Sequence, residues 1–142
     1  LIATFIVAPV CNADDLTRWR AFDPVQEFNQ CSNAPSNVAR SYCYDEIDKK
    51  LRRAIKWADS YVLRLLEMKQ MLADNLNSFE GRYAKEAIET LRKAAKGYSL
   101  LISSDCVATS WQMNGGSGQG LLAQACEINH RIKLFGHYKN FF

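Results

Sequence analysis

The chain has 142 residues, 48% of them hydrophobic, which fits a single globular domain with a core of its own. Its net charge of +3 is mild and lacks the strong basic stripe of a nucleic-acid binder. Three prolines and seven glycines are too few to punctuate a β-sandwich, which needs frequent turn signals.

The first ten residues, Leu1 to Val10, are apolar apart from Thr4 and run into Cys11-Asn12-Ala13 and then Asp14-Asp15. An apolar stretch, small residues at a cleavage point and an acidic start predict that residues 1–13 are the remnant of a secretory signal peptide. The mature domain would then span 14–142. A buried first strand or helix would also be apolar, but the acidic pair directly after the run favours the signal. The run falls well short of the roughly 20 apolar residues of a transmembrane helix. Cys11 is removed with such a signal or else is a lipidated cysteine, for which Ala8-Pro9-Val10 is a poor lipobox.

That removal leaves Cys31, Cys43, Cys106 and Cys126. Four cysteines allow three connectivities, and local pairing is favoured because Cys31–Cys43 and Cys106–Cys126 each close a short loop at a helix end. Two such bonds require an oxidising compartment, hence a periplasmic or secreted location. Four buried thiols in a cytosolic chain are the competing reading. A zinc site is disfavoured, since no Cys-x-x-Cys pair is present.

Leu16 to Gln30 carries a weak helical pattern broken by Pro24, which predicts a short helix or turn leading to Cys31. Asn33-Ala34-Pro35-Ser36-Asn37 is loop chemistry, with Ser36 or Asn37 as helix N-cap. From Val38, an apolar stripe through Cys43, Ile47, Leu51, Ile55, Ala58, Val62, Leu65, Leu72 and Leu76 predicts one helix of close to forty residues. The pairs Asp45–Lys49, Glu46–Lys50 and Asp48–Arg52 place an acid four residues before a base, as on a solvated helix face. Asn75, Asn77 and Ser78 mark a turn. A second long helix is expected from about Phe79 to about Trp111, with Tyr83, Ala87, Leu91, Ala94, Tyr98, Leu101 and Cys106 inward. Asn114-Gly115-Gly116 ends it. A last helix over about Leu121 to Tyr138 would turn Leu122, Ala125, Ile128, Ile132 and Phe135 to the core. The fold class is therefore all-α: a small antiparallel bundle with long helices, stapled by two disulfides.

No catalytic constellation stands out. His130 and His137 lie seven apart on one helix, too far for one metal, and the carboxylates near Asp45 sit among lysines and arginines. Ser103-Ser104-Asp105 lacks a positioned base. Gly115 to Gly120 lacks the lysine and preceding strand of a phosphate-binding loop. No metal, cofactor or enzymatic activity is expected. The glycine run is longer than a helix reversal needs, and Asn114, Ser117 and Gln119 can offer hydrogen-bonding groups there. With Trp111 as an aromatic anchor, these four are the candidate partner-binding residues. A simple chain reversal, with Trp111 lying over the core, would use the same residues.

Leu91-Arg92-Lys93-Ala94-Ala95-Lys96-Gly97-Tyr98, followed by Cys106, Gly115-Gly116-Ser117 and Cys126, resembles the LprI-type lysozyme-inhibitor N-terminal domain family. That family's upstream cysteine pair is similar to Cys31 and Cys43, which precede Asp45-Glu46-Ile47-Asp48. The likeness spans about residues 31–135. Three departures are Tyr98 for a tryptophan, Ala95 for a glutamine, and Leu101-Ile102-Ser103 for Phe-Arg-Asp, so apolar packing is expected in place of a buried arginine–aspartate pair. The resemblance implies a bacterial secreted or periplasmic helical protein that inhibits a cell-wall hydrolase, either lysozyme or a peptidoglycan-degrading toxin, by occluding its active site. A structural or envelope-stress module with no enzyme target is the alternative, and a small-ligand binder using the groove between helices is a third. An acidic patch at the glycine loop would favour inhibition, and a large apolar pocket the ligand binder.

Overall fold

The computed structural model describes residues 13–76, 79–111, 115–116 and 118–140. The signal-peptide segment, Cys11, Asn114 and Ser117 lie outside the described residues, apart from Ala13. Five helices account for almost all of the rest: α1 (Ala13–Ala21), α2 (Pro24–Cys31), α3 (Asn37–Leu76), α4 (Phe79–Ser110) and α5 (Gly118–Lys139).

The two short helices are one pattern divided by Asp23-Pro24. Proline has no N–H to donate and fits the first turn, while the Asp23 carboxylate accepts from the Val25 and Gln26 backbone N–H groups at 3.1 Å. Ser36 caps α3 in the same way, its hydroxyl accepting from Ala39 N–H at 3.1 Å. The forty-residue α3 is supported by its apolar stripe more than by its ends, because Ile47, Leu51 and Ala58 are buried against the other helices. Its last residue, Leu76, falls where the asparagine-rich turn is expected.

Cross-helix contacts fix the directions. Ser41 meets Gln124, Asp48 meets Arg131 and Asp59 meets Tyr138, so α3 and α5 run parallel. Arg92 meets Glu67, and Asp105 meets His130, so α4 runs against both. Consecutive long helices are thus antiparallel in an up-down-up bundle. Cys31–Cys43 and Cys106–Cys126 are both paired, with Cα separations of 5.6 and 5.5 Å. Cys43 and Cys126 each lie two residues beyond the Ser41–Gln124 contact, so both staples sit at the same end of the bundle.

The core lies between α1, α2, α3 and α5. Trp19, Leu51, Ala58, Ile128 and Phe135 are buried in it, and Trp19 packs its ring 4.9 Å from Phe135 and 5.5 Å from Trp57. The Trp19 indole N–H finds the Ala54 carbonyl at 2.9 Å, which satisfies the ring's single polar group.

Helix α4 keeps part of the face its pattern predicts, with Cys106 buried and Ala87, Leu91 and Tyr98 half-buried, but departs from it at Tyr83, Ala94 and Leu101. Ala84, Ile88, Ile102 and Cys106 are buried, whereas Tyr83 and Leu101 face solvent. Leu100-Leu101-Ile102 places three apolar residues in a row, so two overlapping stripes compete, and the Cys106–Cys126 bond selects the one containing Ile102. A second difference concerns Glu46, which pairs with Lys49 at 3.0 Å, while Lys50 reaches Glu27 of α2 at 2.7 Å. Lys50 lies on the α2 side of α3, and a cross-helix carboxylate takes its ammonium. The other two expected pairs are present, with Asp45–Lys49 at 2.7 Å and Asp48–Arg52 at 2.5 Å.

Helix α5 ends at the level of Asp59, so α3 from residue 60 onward and the first part of α4 continue as a two-helix arm. At a rise of about 1.5 Å per residue the arm is about 25 Å long.

Candidate functional site

The stapled end of the bundle gathers the start of α3, the end of α4, the start of α5 and the glycine-rich connection. The Cys106–Cys126 bond ties α4, one turn before its end, to the third turn of α5, so the connection between them is anchored at its base. Gly115 adopts φ +80°, a left-handed conformation that side-chain-bearing residues rarely take, and the Gly116 carbonyl accepts from Gln119 N–H at 2.9 Å. These two glycines turn the chain and start α5 at Gly118, three residues before the position its apolar pattern suggests.

Trp111 stands at the exit of α4 with 70% of its surface exposed, so it is not a lid over the core. On the same face of α4, one turn and nearly three turns earlier, Val107 and Leu100 are also exposed, at the i, i+7, i+11 spacing of a single helix stripe. Gln119 is half-buried in the first turn of α5. Two residues absent from the expected site appear at this end as well. Val38 is 67% and Tyr42 71% exposed on the first turns of α3, beside a shallow depression lined with Gly120, Leu121 and Gln124. The signal for them was present: Val38 opens the apolar stripe of α3 one turn before there is any core to meet. The structure therefore brings Trp111 and Gln119 to one end of the molecule and adds Val38 and Tyr42 to it.

Residues 106–126 contain no aspartate, glutamate, lysine or arginine. The acidic concentration that would steer this loop towards a basic enzyme is absent from the bracket itself.

Below the bracket, Asp105 and His130 pair across α4 and α5 at 2.8 Å. Together with Cys106 and Cys126 they place four potential ligand atoms within 4.8 Å of one another. In the disulfide state the two sulfurs are bonded to each other and offer no thiolate, so this cluster has only two conventional ligands. His130 is three-quarters buried at its side chain, while the Asp105 carboxylate is about half exposed. The role of the pair is to clip α4 to α5 next to the disulfide.

No family model, curated protein or solved structure matches this chain.

A second feature lies further along the bundle, on the arm side of the staples. A groove of about 500 Å³ opens between α3, α4 and α5, walled by Ile55, Leu91, Ala94, Ala95, Ile102 and Leu134. Arg52, Lys56, Asp59, Arg131 and His137 stand around it. Arg131 is nearly buried and bridges Asp48 at 2.5 Å and Glu127 at 2.9 Å, while Arg52 contacts the same two carboxylates at 2.5 and 3.5 Å. This four-charge cluster ties α3 to α5. Tyr98 donates to the His130 carbonyl at 2.9 Å, and Tyr138 donates to Asp59. Burial raises the Tyr98 phenol above its ordinary pKa; burial and the hydrogen bond to Asp59 do the same more strongly for Tyr138. No helix among the described residues is long and apolar enough to cross a membrane.

Proposed function

We propose that this chain is an extracytoplasmic binding protein that blocks a cell-wall hydrolase by occluding its active site, with the stapled end of the bundle as the contact surface. The observation that carries this reading is Trp111, 70% exposed at the exit of α4 where a disulfide-anchored connection begins, with Val107 exposed one turn before it and Val38 and Tyr42 exposed at the same end of the bundle. A protein that exposes a tryptophan on a cross-linked end has an anchor already positioned, so little ordering entropy opposes association. The resemblance to the LprI-type inhibitor domain supplies the class of target. Asn114, Ser117 and Gln119 would supply amide and hydroxyl groups for the carboxylates of a glycan-cleaving site.

The charge distribution narrows the target. With +3 overall and an uncharged bracket, electrostatic steering would favour an enzyme with an acidic or neutral approach surface over a strongly basic one. The test is retention of peptidoglycan hydrolases on the oxidised, immobilised protein, followed by lysis assays of those retained. Retention with loss of lytic activity at micromolar protein supports the reading; no retention and unimpaired lysis across the panel would favour the alternative, a structural module of the envelope.

A further inference from the structure

We infer that the groove between α3, α4 and α5 is a binding site for a long-chain carboxylate, a single-chain amphiphile with an anionic head. The inference is independent of the hydrolase reading, because it uses a different part of the molecule.

The origin of the groove is visible in the sequence of α4. Where three long helices pass one another, a bundle normally closes its centre with large side chains. Here the α4 residues at that level are Ala94, Ala95 and Ser99, all exposed along the open side of the groove and set between Leu91 and Ile102. Short side chains leave the volume unfilled, while Ile55 and Leu134 wall it from α3 and α5. At about 500 Å³ the space falls within the about 300–1,000 Å³ of typical small-molecule sites. Its lining is mainly apolar, with Tyr98 and Tyr138 beside the aliphatic residues, which suits a hydrocarbon chain better than a compact polar ligand.

The rim selects the head group. Of the charged residues around the groove, Arg52, Lys56 and Arg131 are cationic and only Asp59 is anionic. The two arginines are neutralised by Asp48 and Glu127, and the Asp59 carboxylate accepts from Tyr138. Lys56 makes no ion pair among the described residues, and neither does His137 on the facing helix α5. An ammonium outside any ion pair at the edge of an apolar groove complements a carboxylate head whose chain lies within, with Asp59 the one like charge on the rim that the head must avoid. A neutral lipid would leave the Lys56 charge unused, and a cationic amphiphile would be repelled by it.

The test uses the full oxidised chain and displacement of a fluorescent fatty acid, dansyl-aminoundecanoate, below micelle-forming concentrations. Palmitate is expected to displace the probe at micromolar concentration, and hexadecanol or hexadecyltrimethylammonium to be at least about tenfold weaker, the worth of one charged hydrogen bond. Lys56→Glu should weaken palmitate by a similar factor and leave hexadecanol unchanged. Ala95→Phe, which fills the groove, should abolish displacement while helical circular dichroism and the thermal midpoint are kept or raised. Failure of the probe or palmitate to bind the folded protein would overturn the inference. So would equal affinity for palmitate and hexadecanol, or undiminished binding by a folded Ala95→Phe variant.

Discussion

At the residue scale, the strongest polar commitment is Arg131. Its guanidinium is nearly buried and serves two carboxylates from two helices, so truncating it leaves the part-buried Asp48 and Glu127 to the more exposed Arg52 alone. Arg131→Met is expected to destabilise the fold by about 3 kcal/mol, read as a lower urea midpoint at unchanged slope. Lys50→Ala, which removes the exposed pair with Glu27, should cost no more than about 1 kcal/mol. If the two variants unfold together, the Arg131 cluster is no more than surface decoration. Tyr138 supplies a pH dependence. Its folded pKa is raised, so the native state holds its proton more tightly than the unfolded chain does. That contribution is complete below the ordinary tyrosine value of about 10 and is lost as pH rises beyond it. Stability of the wild type should therefore fall more steeply above that pH than stability of Tyr138→Phe; parallel curves would show that the phenol is not held. The role of Arg131 was not readable in the sequence, because its partner lies in another helix and the Asp48–Arg52 spacing already explained Asp48 locally.

At the scale of elements, the long helices were legible because their apolar residues keep helical spacing and because Pro24, the asparagine turn and the glycine run punctuate them. The face of α4 was legible only in part. Leu100 to Ile102 offers two stripes, and only the partner helices decide between them. The groove was hidden for a related reason: Ala94 reads as a core residue in a pattern, and its smallness matters only once Ile55 and Leu134 stand opposite. Local pairing of the cysteines places both staples at one end, where helices would otherwise fray. Each bond closes a loop short enough to contribute about 3 kcal/mol in the chain-entropy model. Replacing Cys106 and Cys126 by serine should lower stability by that amount, measured by denaturant titration, and should free the connection for proteolysis near Gly115. An unchanged midpoint would mean that the Asp105–His130 clip and the packing of Ile102 suffice.

At the scale of the whole molecule, the two ends of the bundle differ. One is cross-linked twice and presents Trp111, Val38 and Tyr42; the other thins to two helices that expose Met68 and Met71 along α3. Of the expected contact residues, Trp111 and Gln119 are placed at the stapled end, and Val38 and Tyr42 could have been suspected only from an apolar stripe that starts before the core does. The uncharged bracket makes binding there a matter of packing and amide hydrogen bonds. Association with a hydrolase should then change little between low and physiological salt; a steep fall in on-rate would point to a charged helix face instead. The most direct measurement is inhibition of a retained peptidoglycan hydrolase by the oxidised wild type and by Trp111→Ala. The stapled-end account predicts that the variant folds with an unchanged thermal midpoint and inhibits at least about tenfold more weakly, as expected for loss of an aromatic anchor. Equal inhibition by the two proteins would contradict it.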